Sequence, residues 1–233
     1  MLEEIAEVLL PRVVDYLLTR DDLNPQQQQV QKEFFAELQP TPRKTSQPLI
    51  IAVIGLTGAG KSSVARELVK QIGGTIITGE RIRRVLLQRG EPETKAPTIA
   101  EHLMGEVVRT GGNAIIDSDH INIEATNRAR LRRRAAALGA RLVLIDVFCD
   151  FYVAIRRILS VWKENQPSEQ AMGKLIELLD RIPYHYQWTS ERGGKWTRKK
   201  LPFRPFAEIN TSAEGEWKAE VAKVAAKLLT GKN

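Results

Sequence analysis

From Leu49 onward, short apolar runs alternate with stretches in which apolar residues recur every three or four positions. The runs at 49–54, 75–78, 113–117, 141–147 and 206–210 have the length and β-branched content of strands. The stretches at 61–72, 80–89, 97–110, 124–138, 150–164, 168–181 and 215–229 predict helices. Ala114-Ile115-Ile116 and Leu142-Val143-Leu144-Ile145 lack polar alternation, which suits strands covered on both faces. This order predicts an α/β domain over 48–233, with a mostly parallel five-stranded sheet between two helical layers. Sheets of this kind bind ligands beyond the carboxyl ends of their strands.

The first 47 residues follow a different rhythm. Leu2, Ile5, Val8, Leu9, Val13, Tyr16 and Leu17 keep a helical period that Pro11 kinks or divides. Asn24-Pro25 reads as a cap followed by proline at the first helical position, and Val30, Phe34, Phe35 and Leu38 then form an apolar stripe. Residues 39–48 carry three prolines and read as a linker. We expect 1–47 to be an N-terminal helical extension packed on the main domain. Self-association and partner binding are the alternatives.

Composition narrows the class. Cys149 is the one cysteine, so no internal disulfide forms, and its apolar surroundings make it a core residue. No apolar run is long enough to span a membrane, and Met1-Leu2-Glu3-Glu4 lacks the basic start of a signal peptide. The expected compartment is the cytoplasm, with no membrane partner. The formal charge of +7 is unevenly spread. Residues 1–47 hold eight acids against five bases, whereas 181–204 hold seven bases against Glu191 alone. In that second stretch Tyr184, Tyr186, Trp188 and Trp196 are interleaved with the cations, a pattern that can stack bases and neutralise phosphates. It reads either as a mobile substrate-side loop or as a hairpin whose tryptophans pack on the core. The run Arg128, Arg130, Arg132, Arg133, Arg134 places Arg130, Arg133 and Arg134 on one helical face and reads as a solvated surface.

The chemistry is concentrated in Gly55-Leu56-Thr57-Gly58-Ala59-Gly60-Lys61-Ser62-Ser63, which follows the first strand and opens a helix. Gly55, Gly60, Lys61 and Ser62 stand at the spacing of a nucleotide phosphate-binding loop. Glycines permit positive φ and close backbone approach, and the helix start points free N–H groups at an anion. Lys61 can reach the β and γ phosphates, and the Ser62 hydroxyl can ligate Mg²⁺. Asp117 ends the third strand, where a carboxylate can hold the same metal. Asp119 lies two residues on, and His120 follows it as a candidate acceptor contact. His102, His120 and His185 are scattered, without the spacing of a zinc site.

These motifs resemble the P-loop kinases of the polynucleotide-kinase and zeta-toxin group. The resemblance runs from Leu49 to about Leu229. It rests on the loop 55–62, on Ile76-Ile77-Thr78-Gly79-Glu80-Arg81-Ile82-Arg83, on Ile115-Ile116-Asp117 with Asn127-Arg128 beyond it, and on Ile209-Asn210-Thr211-Ser212 before the last helix. It implies a three-layer P-loop NTPase fold, ATP and Mg²⁺ as cofactors, and phosphoryl transfer to a hydroxyl on a small molecule, nucleotide or polynucleotide end. Where the group carries aspartate as catalytic base after the second strand, this chain carries Glu80. Glu80 or Asp119 would then take the hydroxyl proton. Arg157, on the helix after Asp150, would stabilise transferring charge, with Arg156 as its neighbour. Arg83 and Arg128 would hold the acceptor. Two readings from other classes stand beside this one: a nucleotide-binding switch with slow hydrolysis, and a nucleic-acid-binding protein driven by 181–204.

Overall fold

The computed structural model describes residues 23–38, 40–117, 125–165, 176, 179–190 and 193–231. Helix α1 (Pro25–Glu37) precedes strand β1 (Leu49–Ile54), helix α2 (Lys61–Ile72), β2 (Thr75–Thr78) and α3 (Gly79–Gln88). Next come α4 (Ala96–Arg109), β3 (Ala114–Asp117), α5 (Ala125–Ala137), β4 (Arg141–Phe148) and α6 (Phe151–Asn165). A hairpin of β5 (Tyr186–Thr189) and β6 (Lys195–Arg198) leads to β7 (Ala207–Asn210) and α7 (Trp217–Thr230). The helix expected over 168–181 lies largely outside the described residues; 179–185 are helical.

The main sheet has the order β2-β3-β1-β4-β7, and every pairing in it is parallel. All six residues of β1 are buried, so its side chains supply both faces. Leu49, Ile51 and Val53 join the apolar cluster under α2, α6 and α7. Ile50, Ala52 and Ile54 join the opposite cluster, under α1, α3, α4 and α5. Period two in the strand thus divides one chain segment between two cores.

Helix α1 belongs to the second of these cores. Asn24 caps it reciprocally with Gln27: the Gln27 N–H donates to Asn24 Oδ1 at 2.9 Å, and the Asn24 N–H to Gln27 Oε1 at 3.1 Å. Val30 is fully buried and Phe34 nearly so. Burial of these two side chains contributes about 1.5–3 kcal/mol each toward seating the helix on the domain.

One side chain ties the edge of the sheet to its surroundings. Asn113, fully buried just before β3, accepts from the Leu49 N–H at 2.9 Å and the Thr45 hydroxyl at 3.0 Å. Its amide donates to the carbonyls of Ile72 and Gly73, each at 3.3 Å. The start of β1, the end of α2 and the approach to β3 therefore share one carboxamide.

Tertiary contacts revise one expectation and select between two alternatives. The arginine run on α5 is solvated only in part: Arg132 and Arg133 are exposed, but Arg134 is buried, and Arg130 pairs with Glu101 of α4 at 2.8 Å. Burial pushes the Glu101 carboxyl above its ordinary range, against the pull of Arg130 and Arg134. Gly105 makes room for this cluster, since a Cβ there would stand 3.0 Å from the Arg134 guanidinium. The aromatic stretch takes the second of its two readings, an antiparallel hairpin in which Trp188 faces Trp196. Trp196 stacks on Phe151 at 4.9 Å between centroids, while Trp188 stays half exposed. Arg198 crosses from β6 to pair with buried Asp146 and with Glu208, and it covers the Phe148 ring at 3.7 Å.

Replacing Asn113 by alanine removes the acceptor of the buried Leu49 N–H and a donor to the Gly73 carbonyl, while the Ile72 carbonyl keeps the Lys44 N–H, and we expect a loss of about 3 kcal/mol in chemical denaturation. An unchanged denaturation midpoint would show that the carboxamide does not organise this junction.

Candidate active site

The turn from β1 into α2 is set by steric contact. A Cβ on Gly55 would lie 2.0 Å from the Val147 carbonyl oxygen of β4, so only glycine fits. Gly58 and Gly60 have φ of 85° and 88°, in the left-handed region. A Cβ on Gly58 would meet the Ala154 carbonyl of α6 at 2.7 Å. Leu56 and Ala59 point their side chains into the core. Thr57 and Ser63 are half buried. The outward surface of the turn is therefore largely backbone. No side chain caps α2, and its first turn holds no acid. Its leading N–H groups and positive dipole end therefore suit an anion. The Lys61 ammonium lies across the turn, donating to the carbonyls of Gly55 at 3.0 Å and Leu56 at 3.2 Å.

Ser62 is the residue that connects this turn to the next strand. Its hydroxyl donates to Asp117 Oδ2 at 2.5 Å. Asp117 ends β3, in register with Val53 of β1 on one side and Thr78 of β2 on the other. Glu80 follows Thr78 by two residues, exposed in the first turn of α3, and Arg83 lies half buried one turn further on. Three adjacent strands thus deliver the phosphate-loop candidates, Asp117 and Glu80 to a common edge. Asp119 and His120 lie outside the described residues.

Arg157 reaches the loop from α6. Its guanidinium donates to the Gly58 carbonyl at 3.3 Å, the Thr211 hydroxyl at 3.0 Å and the Thr211 carbonyl at 2.5 Å. Thr211 in turn donates its hydroxyl proton to the Ala59 carbonyl at 2.6 Å. Arg156 is exposed. Thr211 was not singled out by the sequence as a site residue. Its position in the turn between β7 and α7 is the one signal available, because the contact bridges 152 residues. The same turn is stiffened by Ser212, whose N–H and hydroxyl both donate to Asn210 Oδ1, at 3.0 and 2.7 Å. Arg128 stacks over Phe203 at 4.1 Å. Cys149 is buried, and burial raises its thiol above the ordinary range, which makes it an inert core residue.

Among the described residues no group of three or more His, Cys, Asp and Glu could by itself hold a metal ion, and no helix is long and apolar enough to cross a membrane. The Ser62–Asp117 pair offers two hard oxygen donors, which fits a cation that takes its other ligands from phosphate and water.

Fold and loop together define a P-loop nucleotide-binding protein with the α/β architecture of the P-loop kinases. Residues 50–173 match the family model described as an AAA domain, more than half of the chain, and the chain belongs to that family. No curated protein matches it. Among solved structures it is similar to a provisionally assigned kinase from Chloroflexus aurantiacus J-10-fl, with a TM-score of 0.52 at 16% identity over 78% of this chain and 98% of that one. It is also similar to APE1195, with a TM-score of 0.53 at 15% identity over 78% and 95% of the two chains.

A Gly55→Ala substitution drives a methyl group into the Val147 carbonyl and should abolish the rise in melting temperature produced by Mg·ATP. The substitution itself should cost about 2–4 kcal/mol of stability. Retained Mg·ATP protection would show that the turn tolerates the displacement.

Proposed function

We propose that the chain is an ATP-dependent kinase that transfers the γ-phosphoryl group to a hydroxyl acceptor. The observation that carries this reading is the Ser62–Asp117 contact at the mouth of a glycine turn backed by an uncapped helix start. The turn's amides and Lys61 bind the β and γ phosphates. Ser62 and Asp117 hold Mg²⁺, which when bound neutralises charge on the β and γ oxygens. The acceptor oxygen attacks the γ phosphorus, the bond to the β–γ bridging oxygen breaks, and the acceptor proton passes to a carboxylate. Glu80 is the candidate base among the described residues, with Asp119 as the alternative. Arg83 and Arg128 serve the acceptor side. Arg157 anchors Gly58 to Thr211, and the same guanidinium can offer positive charge to the bound triphosphate.

One observation favours a nucleic-acid end among the acceptors. Tyr184 and Trp188 are more than half exposed, in the same stretch of chain as exposed Lys195, Lys200 and Arg204. Exposed rings alternating with cations stack bases and pair phosphates. The residues of 1–47, read as an extension, could also support self-association.

Lys61→Ala should retain the fold while ATP turnover drops about 10²–10³-fold, as the loss of one charge-stabilising donor implies. Turnover at the wild-type rate would refute the assignment. The acceptor is found by screening hydroxyl compounds with labelled ATP and Mg²⁺ and reading transferred phosphate. If the acceptor is an oligonucleotide, affinity should fall steeply with salt, and Lys195→Glu with Lys200→Glu should flatten that slope by about 2. Binding independent of salt would remove the nucleic-acid version.

A further inference from the structure

Helix α1 grips α3 at both ends. At the start of α3, Arg81 pairs with Glu37 and lies over the Phe34 ring, 5.1 Å from its centroid. Just past its end, Arg89 pairs with Glu33. Buried Glu91 accepts from Asn24 Nδ2 at 3.0 Å and Gln27 Nε2 at 2.6 Å. The two residues that form the capping box of α1 are therefore the same two that hold Glu91. Between these anchors, Val30 and Phe34 share a core cluster with Ile82 and Leu86 of α3.

The grip has a position as well as a strength. Arg81 adjoins Glu80 and stands two residues from Arg83. Thr78, the residue just before α3, is in register with Asp117. Any rotation or slide of α3 therefore moves Glu80 relative to Asp117 and the phosphate loop. The apolar contacts and the Glu91 site set how firmly α1 is seated. The two ion pairs, each between half-exposed partners, add little stability and instead select one orientation of α3.

We propose that α1 is a positioning element of the active site, and that Glu33 and Glu37 are positioning residues that act through Arg89 and Arg81 to fix the carboxylate of Glu80 and the guanidinium of Arg83 against the loop. This rests on the kinase reading above. It makes residues 24–37 part of the machinery rather than an appendage to it.

The test uses the full chain and its hydrolysis of Mg·ATP without an added acceptor, in which water takes the phosphoryl group. In Glu33→Ala with Glu37→Ala, kcat should fall about fivefold while KM for Mg·ATP moves less than about twofold, since the loop itself is untouched. Lys32→Ala, on the exposed side of α1, should leave both constants unchanged. Glu37→Arg combined with Arg81→Glu restores one pair with reversed charge. It should recover at least half of the wild-type kcat relative to Arg81→Glu alone, a rescue that a general loss of packing would not give. Unchanged kcat in the double alanine variant, or no rescue in the swap, overturns the positioning role and leaves the kinase reading standing. A wild-type chain that neither binds nor hydrolyses Mg·ATP sinks the kinase reading, and this role with it.

Discussion

The contact on which the structure turns is the absence of a side chain at Gly55. The backbone there passes so close to the Val147 carbonyl of β4 that a methyl group would overlap the oxygen. That approach lets the chain leave a fully buried strand and reverse into α2 within six residues. Everything at the ligand edge follows from the reversal. Leu56 and Ala59 sink into the core, and the turn is left with peptide groups on its outer side. A side chain at Gly55 would push the turn off β4, and the amides would no longer converge on one point.

Around this turn the fold assembles pieces that are remote in sequence. The parallel order β2-β3-β1-β4-β7 places the ends of β1, β2 and β3 side by side. Ser62 meets Asp117 for that reason, and Glu80 follows the end of the neighbouring strand by two residues. On the other side, β4 and β7 bring Ala154, Arg157 and Thr211 against Gly58, Ala59 and Gly60. The turn is thus held between a carboxylate on one flank and a guanidinium–hydroxyl pair on the other. Neither flank is a strong interaction alone. The geometry they impose is specific because the sheet sets the strand spacing.

Local signals were legible in the sequence wherever the physics was local. The strands at 49–54 and 75–78 and the helix at 61–72 match the structure residue for residue, because burial on two faces and glycine punctuation leave little choice. The hairpin was less legible. Tyr186–Thr189 and Lys195–Arg198 are short and rich in cations, and what orders them is Phe151 and Asp146, far away in the chain. Arg134 misleads for the same reason. Its helix carries charge all round, and only the tertiary partner α4, with Glu101 and the gap at Gly105, explains how a guanidinium can be buried there. Thr211 stood in a stretch the resemblance marked, but its support of the loop was not legible, since its contacts cross from one end of the sheet order to the middle.

Charge in this protein therefore divides by what it faces. Arg130, Arg134 and Arg198 look chemically ready for an anion, yet they are committed to carboxylates or buried packing inside the fold. Arg157 differs, because carbonyl and hydroxyl oxygens of the loop and its support hold it. A neutral acceptor orients a cation without cancelling its charge, so this guanidinium can keep its bonds to the turn or exchange them for an anion's oxygens at small cost. A cation already neutralised by a buried carboxylate cannot, because leaving it would strand an ionised acid away from water. The nature of the partner, more than the density of positive residues, separates the cations spent on building the domain from one that keeps its charge for an anion.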